Sequence, residues 1–381
     1  MNQIAIVAGT RTPIGRAGRA YRDVHPADLL GASLAATARA AGVEDGAIDR
    51  VLVGCTHQMG DQAMNIGRNA SLAAGFSHMT PALTLDAQCC SGQEVASLGA
   101  ALIGSGQADL VMVGGVESLS RVASGSTFGP ALGDPYPPSL ASRWDMPHQS
   151  VAGERMARRY DVSRAAADDY GVASHQRAAK AWENGTMVEE ILRIEGPDGP
   201  LLEIDEGVRP DSTLAAAAGL APAFDAEGIL TAANSSQLSD GAASLLLASE
   251  KALATHQLNP LAWITATAAT GADPSLMLEG PLHATERVLA RTGLSIGSFD
   301  AFEVHEAFAV PVIVWMEHFG VPHADVNIDG GAIAMGHPFG ASGTRQLLHL
   351  ALQLRRGGGG RGLQAMCGGG GLGTATVLEA A

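Results

Sequence analysis

The stretch GVEDGAIDRVLVG, Gly42 to Gly54, aligns without gaps on GLSIGSFDAFEVH, Gly293 to His305. Each copy reads as the end of a helix, a turn carrying an Asp, and the start of an apolar strand. In each half a Gly/Ser-rich turn then opens a helix: QCCSGQEVASLGAALIG over 88–104, and GHPFGASGTRQLLHLALQL over 336–354. A chain that repeats one order of elements is constrained to build the same α/β unit twice. Its 381 residues are also too many for one ordinary core.

The segments around these copies extend the pattern. IAIVAG, RVLVG and DLVMVGG read as strands, and Ala27 to Ala41 and Val95 to Ile103 have helical spacing. DLVMVGG is nearly all apolar, as strands buried between helix layers are. The alternation predicts βαβ units with parallel strands. From Arg121 to about Thr231 the texture changes. PYPPS, the charged GERMARRYDVSRAAADDY and the turn GPDGP read as an irregular insertion over the surface. Alternation returns after AASLLLAS, with WITATAA, AFEVH and TATVLE as strands and His283 to Arg291 and Arg345 to Leu354 as helices. The expected layout is an N-terminal half (1–120 plus about 241–258), a covering loop domain (121–240) and a C-terminal half (259–381). GGGGRG, 357–362, reads as a flexible glycine-rich tail.

Charge limits the partners. The 39 acidic residues against 24 basic ones leave a net charge of −15, which repels phosphate backbones and argues against nucleic-acid binding. A polyanionic ligand then needs a local basic pocket. The start, MNQIAIVAGTRTPIG, reads as a first strand rather than a signal peptide, and no run of roughly 18 apolar residues predicts a membrane span. Cys55, Cys89, Cys90 and Cys367 are one adjacent pair and two distant thiols, which is not a disulfide framework. They read as cytosolic thiols, so a cytoplasmic location is expected.

Cys89 and Cys90 both precede the helix marked by Val95, Leu98 and Leu102. A nucleophilic cysteine must become a thiolate, and unpaired N–H groups at a helix start favour negative charge there. The ordinary role of such cysteines is buried packing, and position alone does not choose between them. His337 occupies the corresponding turn of the second half, where an imidazole is able to serve as a base beside a weak nucleophile or simply to cap the turn. Cys367 lies in MCGGGGLG, whose glycines let a backbone approach a ligand closely. The glycine runs lack the strand, GxGxxG and helix order of dinucleotide binding, and no cysteine pair has zinc-finger spacing.

Seven segments, GTRTPIG (9–15), QCCSG (88–92), GGVESLS (114–120), PAFDAEGILTAANSSQLSDGAA (222–243), HEAFA (305–309), GGAIAMGHPFGASGTR (330–345) and CGGGGLG (367–373), occur in the order in which the thiolase family carries similar motifs. The chain resembles that family nearly end to end. The resemblance implies an α/β thiolase fold, two duplicated βαβαβ-type halves in a layered αβαβα arrangement with an inserted loop domain. It implies an acyltransferase, which cleaves 3-ketoacyl-CoA with CoA to acetyl-CoA and a shortened acyl-CoA, or runs the reverse Claisen condensation. CoA thioesters are then substrate and product, with no metal and no further cofactor. Nucleic acid and membrane are not implied as partners. A homodimer or homotetramer is, and association with other fatty-acid oxidation enzymes is compatible with it.

The family pattern is a nucleophilic cysteine, one small residue, then Ser-Gly; laid on CCSG, it selects Cys89 and makes Cys90 the small residue. By the same carry-over His337 activates Cys89 and donates to the thioester oxygen, and Cys367 is the second acid/base. The backbone N–H groups of Cys89 and Gly369 bind the oxyanion of the acyl-enzyme step. Arg209 matches an arginine near the CoA nucleotide. Phe224, Ser236 and Phe308 match the pantetheine tunnel, and His148 matches a covering-loop histidine. Three positions depart from the family. His305 stands where many members carry Asn, as in the β-subunit of trifunctional fatty-acid oxidation enzymes, and is expected to bond the thioester oxygen directly. Gln149 replaces a Met, and Gln237 replaces a common Gly, so the pantetheine wall is expected to differ. Two rivals remain. A decarboxylating condensing enzyme of the same fold would not need the second thiol, Cys367. A non-catalytic subunit that binds CoA thioesters would not need Cys89, His337 and Cys367 together.

Overall fold

A computed structural model describes residues 4–381. The N-terminal half contains β1 (Ile4–Arg11), β2 (Gly15–Arg16), α1 (Pro26–Ala41), β3 (Arg50–Gly54), α2 (Ile66–Ala73), β4 (Ala82–Leu85), α3 (Ser91–Gly104) and β5 (Leu110–Ser118). The insertion carries α4 (Pro138–Ala141), α5 (Gln149–Arg159), α6 (Arg164–Glu183), a short hairpin of β6 (Glu195–Gly196) and β7 (Gly199–Pro200), and α7 (Leu214–Ala218). After it come β8 (Ser239–Ser249), α8 (Glu250–His256), β9 (Ala262–Gly271), α9 (Gly280–Thr292), β10 (Ala301–Val304), α10 (Ala309–Phe319), α11 (Ala332–Met335), α12 (Phe339–Arg356), β11 (Arg361–Gly368) and β12 (Leu372–Ala380).

The duplicated stretches do the same work twice. Gly42 ends α1 at φ 69° and Gly293 ends α9 at φ 72°, in the left-handed region that glycine adopts without a Cβ penalty. The Asp49 carboxylate then accepts the N–H groups of Asp109 and Leu110 (2.7 and 2.9 Å) at the start of β5, and the Asp300 carboxylate accepts that of Arg361 (2.9 Å) at the start of β11. Each Asp thereby sets two neighbouring parallel strands level.

The strand order is β10-β11-β12-β9-β1-β8-β5-β3-β4, with β2 on β8. The expectation of parallel strands holds for β3 with β4 and β5 and for β10 with β11. It fails elsewhere. β8 returns from the insertion and lies antiparallel between β1 and β5, and β12 is antiparallel to both β9 and β11. The halves are also not separate sheets. Ile4–Ile6 pair with Ile264–Ala262, joining ten strands into one sheet among the described residues.

Side chains alternate across the strands with period two. Ile4, Ile6, Val111, Val113, Leu245 and Leu247 face the central pair of helices, α3 and α12, whereas Ala5, Val7, Leu110, Met112, Leu246 and Ala248 face α1. On the far side α9 and α10 cover Phe302, Val304, Leu363 and Val377. The layering is αβαβα. Where α3 and α12 cross, glycines let the two backbones approach closely: a Cβ at Gly92 would fall 2.7 Å from the Thr344 nitrogen, and one at Gly343 would fall against the Gln93 nitrogen.

Two segments differ from their sequence reading. The charged insertion is partly regular, because α6 buries Asp168, Tyr170, Ser174 and His175 among its apolar residues and so hides its period. GGGGRG is an ordered helix-to-strand link and not a tail. Gly358, Gly359 and Gly360 all have positive φ, and Arg361 already pairs with Glu379.

Candidate active site

The turn ahead of α3 explains why the small polar residues follow the cysteines. Gln88 takes φ 54°. The Ser91 hydroxyl closes the loop, accepting the Ala87 N–H (2.8 Å) and donating to the Gln88 carbonyl (2.6 Å). This turn sets Cys89 in a buried apolar nest with Leu119 and Phe339. Cys90, the helix cap, points the other way, with its sulfur 3.8 Å from the Met366 carbonyl. The helix start does not by itself make Cys89 a thiolate. Burial, with help from the Glu117 charge, pushes the thiol up to about 12, against the opposing pull of the N–H groups of Cys89 itself and of Gly369.

His337 is held from three sides. Its N–H faces the Gln237 carbonyl (3.0 Å) and Ser239 Oγ (3.1 Å), and its Nδ1 lies 2.7 Å from Ser342 Oγ. The Ser342 hydroxyl donates to the Pro338 carbonyl (3.1 Å), which assigns the His337 proton to Nδ1 and leaves Nε2 as a lone pair. That lone pair meets Nε2 of His305 at 3.1 Å, so His305 carries its proton on Nε2. Both rings are neutral. Burial, His305 and Arg345 hold His337 well below the usual histidine range, and burial with Arg345 lowers His305 to about 3. Phe339 ties the imidazole to the thiol: its ring centroid is 4.8 Å from that of His337, and it packs on Cys89.

Cys367, buried at the end of β11, is raised well above the usual thiol range by burial and by Cys89 and Cys90 nearby. The next residues turn sharply, with Gly370 at φ 74° and Gly371 at φ 85°, and a Cβ at Gly369 would fall 2.9 Å from Gln88 Oε1. The Gly369 N–H is thus brought against the Cys89 sulfur.

A second group of residues leads away from this centre. His148 caps α5; its ring centroid is 6.5 Å from that of Phe224, which stands edge-on to Phe308 at 6.1 Å. Ser236 N–H donates to the Ala307 carbonyl (3.0 Å), next to Phe308. Further out Arg209 lines a cavity of about 340 Å³ with His175, Ser212, Leu220 and Ala233. The fold therefore brings Cys89, His305, His337, Cys367 and Gly369 into one buried neighbourhood and His148, Phe224, Phe308 and Ser236 into a second group, with Arg209 on a cavity of its own.

Family models described as the thiolase N-terminal and C-terminal domains match residues 4–251 and 258–380. The chain belongs to the thiolase family. It is 39% identical to a steroid 3-ketoacyl-CoA thiolase of Mycobacterium tuberculosis, over 100% of this chain and 94% of that protein. It is 36% identical to a 3-ketoacyl-CoA thiolase of Bacillus subtilis, over the full length of both. The crystal structure of human mitochondrial 3-ketoacyl-CoA thiolase superposes with a TM-score of 0.91 at 34% identity, over 100% of this chain and 99% of that one; the same enzyme in complex with CoA also superposes with a TM-score of 0.91.

Sequence reading missed two buried carboxylates of this thiolase. Glu117, at the end of β5, accepts the N–H groups of Thr56, His57 and Gly340 (each 3.0 Å) and the Gln62 amide (2.9 Å). It fastens the first half to the turn that follows His337. Glu306 accepts from Tyr170 (2.9 Å), Ser174 (2.8 Å), Asn327 (2.9 Å) and the Ile333 N–H (3.0 Å). The signal was present, since both acids lie inside quoted motifs, GGVES and HEAFA; neither carries a cue that separates an anchor from a catalyst.

Proposed function

We propose that this acyltransferase cleaves 3-ketoacyl-CoA with CoA, through an acyl group carried on Cys89. The convergence of one thiol, one neutral imidazole, a second thiol and the Gly369 N–H on a single spot carries the reading. His337 Nε2 takes the Cys89 proton as the sulfur attacks the 3-keto carbon. The C2–C3 bond breaks, and the Cys367 thiol protonates C2 of the departing acetyl-CoA. In the second half-reaction the Cys367 thiolate takes the proton of incoming CoA, whose sulfur attacks the acyl group. Cys89 leaves and recovers its proton from His337.

The His305–His337 contact supports this sequence. Once His337 Nε2 is protonated, two N–H donors face each other and the bond between the rings is lost. Both donors then become free for the substrate thioester oxygen. Opposite them the N–H groups of Cys89 and Gly369 suit the oxyanion of the acyl-enzyme step, where one such donor contributes about 3 kcal/mol. Cys367 favours this reaction over decarboxylating condensation, which needs no second thiol.

The second group and Arg209 suit CoA: Phe224, Phe308, His148 and Ser236 beside the pantetheine arm, and Arg209 at the nucleotide. The steroid 3-ketoacyl-CoA and 3-ketoacyl-CoA thiolase names of the relatives support a degradative, β-oxidation type of role, and a cytoplasmic location is part of the proposal. A homodimer is part of the proposal. β4 forms one end of the sheet, and Leu72, Met79 and Leu83 beside it are exposed, an edge that a second copy would cover. Among the described residues no helix is long and apolar enough to cross a membrane.

Thiolysis of acetoacetyl-CoA by the purified protein tests the reaction. Robust turnover without any partner is expected, and its absence would remove the proposal in favour of a CoA-thioester-binding subunit. Light scattering reads the oligomer, and a monomer at micromolar concentration would refute the dimer.

A further inference from the structure

The turn that carries Arg209 is fixed at three points. Asp205 accepts the Ile14 N–H (2.7 Å) and pairs with Arg11, the Gly207 carbonyl accepts from Gln237 Nε2 (3.2 Å), and the Arg209 N–H donates to His175 Nδ1 (3.3 Å). The middle anchor reaches further. Gln237 Nε2 also lies 3.2 Å from the Ile333 carbonyl and 3.4 Å from that of Ala334, in the segment that runs through Met335 and Gly336 into His337. The main-chain carbonyl of the same residue accepts the His337 N–H and, at 2.8 Å, the Ser239 hydroxyl.

The amide is matched to its place. Three carbonyls surround one nitrogen, so the donor end of the side chain is the end seated there. A Cβ at Gly207 would fall 2.6 Å from that nitrogen, so only glycine at 207 admits it. The price is Oε1, which is buried without a partner, an arrangement that side chains serving packing alone avoid.

We infer that Gln237 is a positioning residue that couples the Arg209 turn to His337, so that filling the nucleotide end of the CoA groove helps to set the imidazole. The inference rests on the thiolase reaction proposed above and adds a regulator of its base. Two N–H bonds serve three carbonyls. When Gly207 draws nearer to the amide or away from it, what remains for Ile333 and Ala334 changes, and the main chain leading to His337 responds. The coupling thus runs through contacts that are individually named and can be removed.

The test compares two substrate pairs, acetoacetyl-CoA with CoA and acetoacetyl-pantetheine with pantetheine, the second of which lacks the nucleotide in both half-reactions, in thiolysis by the parent protein and by Gln237→Ala. With CoA, kcat of the variant should fall about 10-fold, within the usual range of site-to-site coupling. With pantetheine it should change less than about 2-fold, because the nucleotide end is empty in both proteins. Equal losses with both thiols would mean a merely structural role, and no loss with either would mean no coupling; both results overturn the inference. Gln237→Asn, too short to span the three carbonyls, decides by the same criterion if the alanine variant melts early. Parent turnover is judged separately. If the parent does not turn over, the proposed reaction fails, and the coupling is read from the rate of Cys89 alkylation by iodoacetamide. CoA but not pantetheine should change that rate in the parent, and neither should change it in the variant; a CoA effect of equal size in both proteins would overturn the inference.

Discussion

In the N-terminal half the turn ahead of α3 carries Cys89, and the neighbouring strand β5 carries Glu117 as its last residue but one; in the C-terminal half the turn ahead of α12 carries His337, and β11 carries Cys367 as its last residue but one. β3 runs out at Gly54 where its counterpart β10 leads into His305. The scaffold is the same down to the Gly and Asp that cap and level each unit. What differs is whether the strand end is tied. Glu117 is saturated by four donors and holds the turn of the other half. Cys367 keeps its proton, because burial and the neighbouring Cys89 and Cys90 raise it well above the usual thiol range. Duplication supplies two helix starts and two strand ends, and in the proposed reaction the end without a network of donors is the one that moves a proton.

The sharpest way to break this comparison is to remove the reactive ends one at a time. Cys89→Ala should lower turnover by about 10⁴-fold or more and retain no label from radioactive acyl-CoA. Cys367→Ala should still trap the label on Cys89, while cleavage of acetoacetyl-CoA drops by roughly 10²- to 10⁴-fold. Loss of labelling in the second variant would show that the halves do not divide the two steps. Glu117→Gln replaces an acceptor with a group that also faces donors, and urea denaturation should register about 3 kcal/mol less stability. A change under about 1 kcal/mol would refute its role as the anchor between halves.

A pH test reaches the seam between the halves and the insertion. Arg11 on β1 pairs with Glu190 (2.6 Å) and Asp205 (2.7 Å) of the insertion, and Glu190 lies 2.9 Å from Nδ1 of His349 on α12. Burial alone would lower His349, but Glu190 and Asp329 outweigh it and raise the imidazole from 6.5 to about 9. The folded value exceeds the unfolded one, so this contribution is complete below about 6.5 and is lost as pH rises through about 9. Midpoints of thermal melting should fall across that window in the parent and stay flatter in His349→Gln. The smallest effect is expected at Cys90, whose sulfur faces away from the site; Cys90→Ser should keep turnover within roughly 3-fold.

Much of the site was legible because motifs encode local turns. CCSG reads as a helix start, in which the family resemblance singles out Cys89, and the structure shows how that turn is built, by a serine that closes it and a glycine that admits α12. The Asp and Gly of the repeated stretch were likewise visible in one dimension. Long-range facts were not. Nothing in AASLLLAS announces that the strand runs antiparallel between β1 and β5, since an all-apolar run reads alike in either direction. The α6 period was hidden by Asp168, Ser174 and His175, which are buried as partners of Asn234, Glu306 and the Arg209 backbone. The balance of effects on the thiol is another long-range fact. A helix start favours the anion, but burial, which the sequence does not report, acts in the opposite direction and wins.

The glycine crossing of α3 and α12 bears on how such an enzyme can change. Thiol and imidazole ride on two backbones that approach closely at Gly92 and Gly343, with the Phe339 ring packed against both groups, so their spacing is set largely by main chain. The insertion, by contrast, is loose at its outer surface, with Phe128, Tyr136 and Trp144 exposed and Met146 reaching toward Gly370. In the proposed reaction, exchange of that segment is expected to alter which acyl groups are admitted, which thiolysis rates across 3-ketoacyl-CoAs of increasing length would check. A library confined to residues 121–147 therefore explores substrate range at little risk to turnover, whereas a single methyl group at position 92 or 343 would be felt at once.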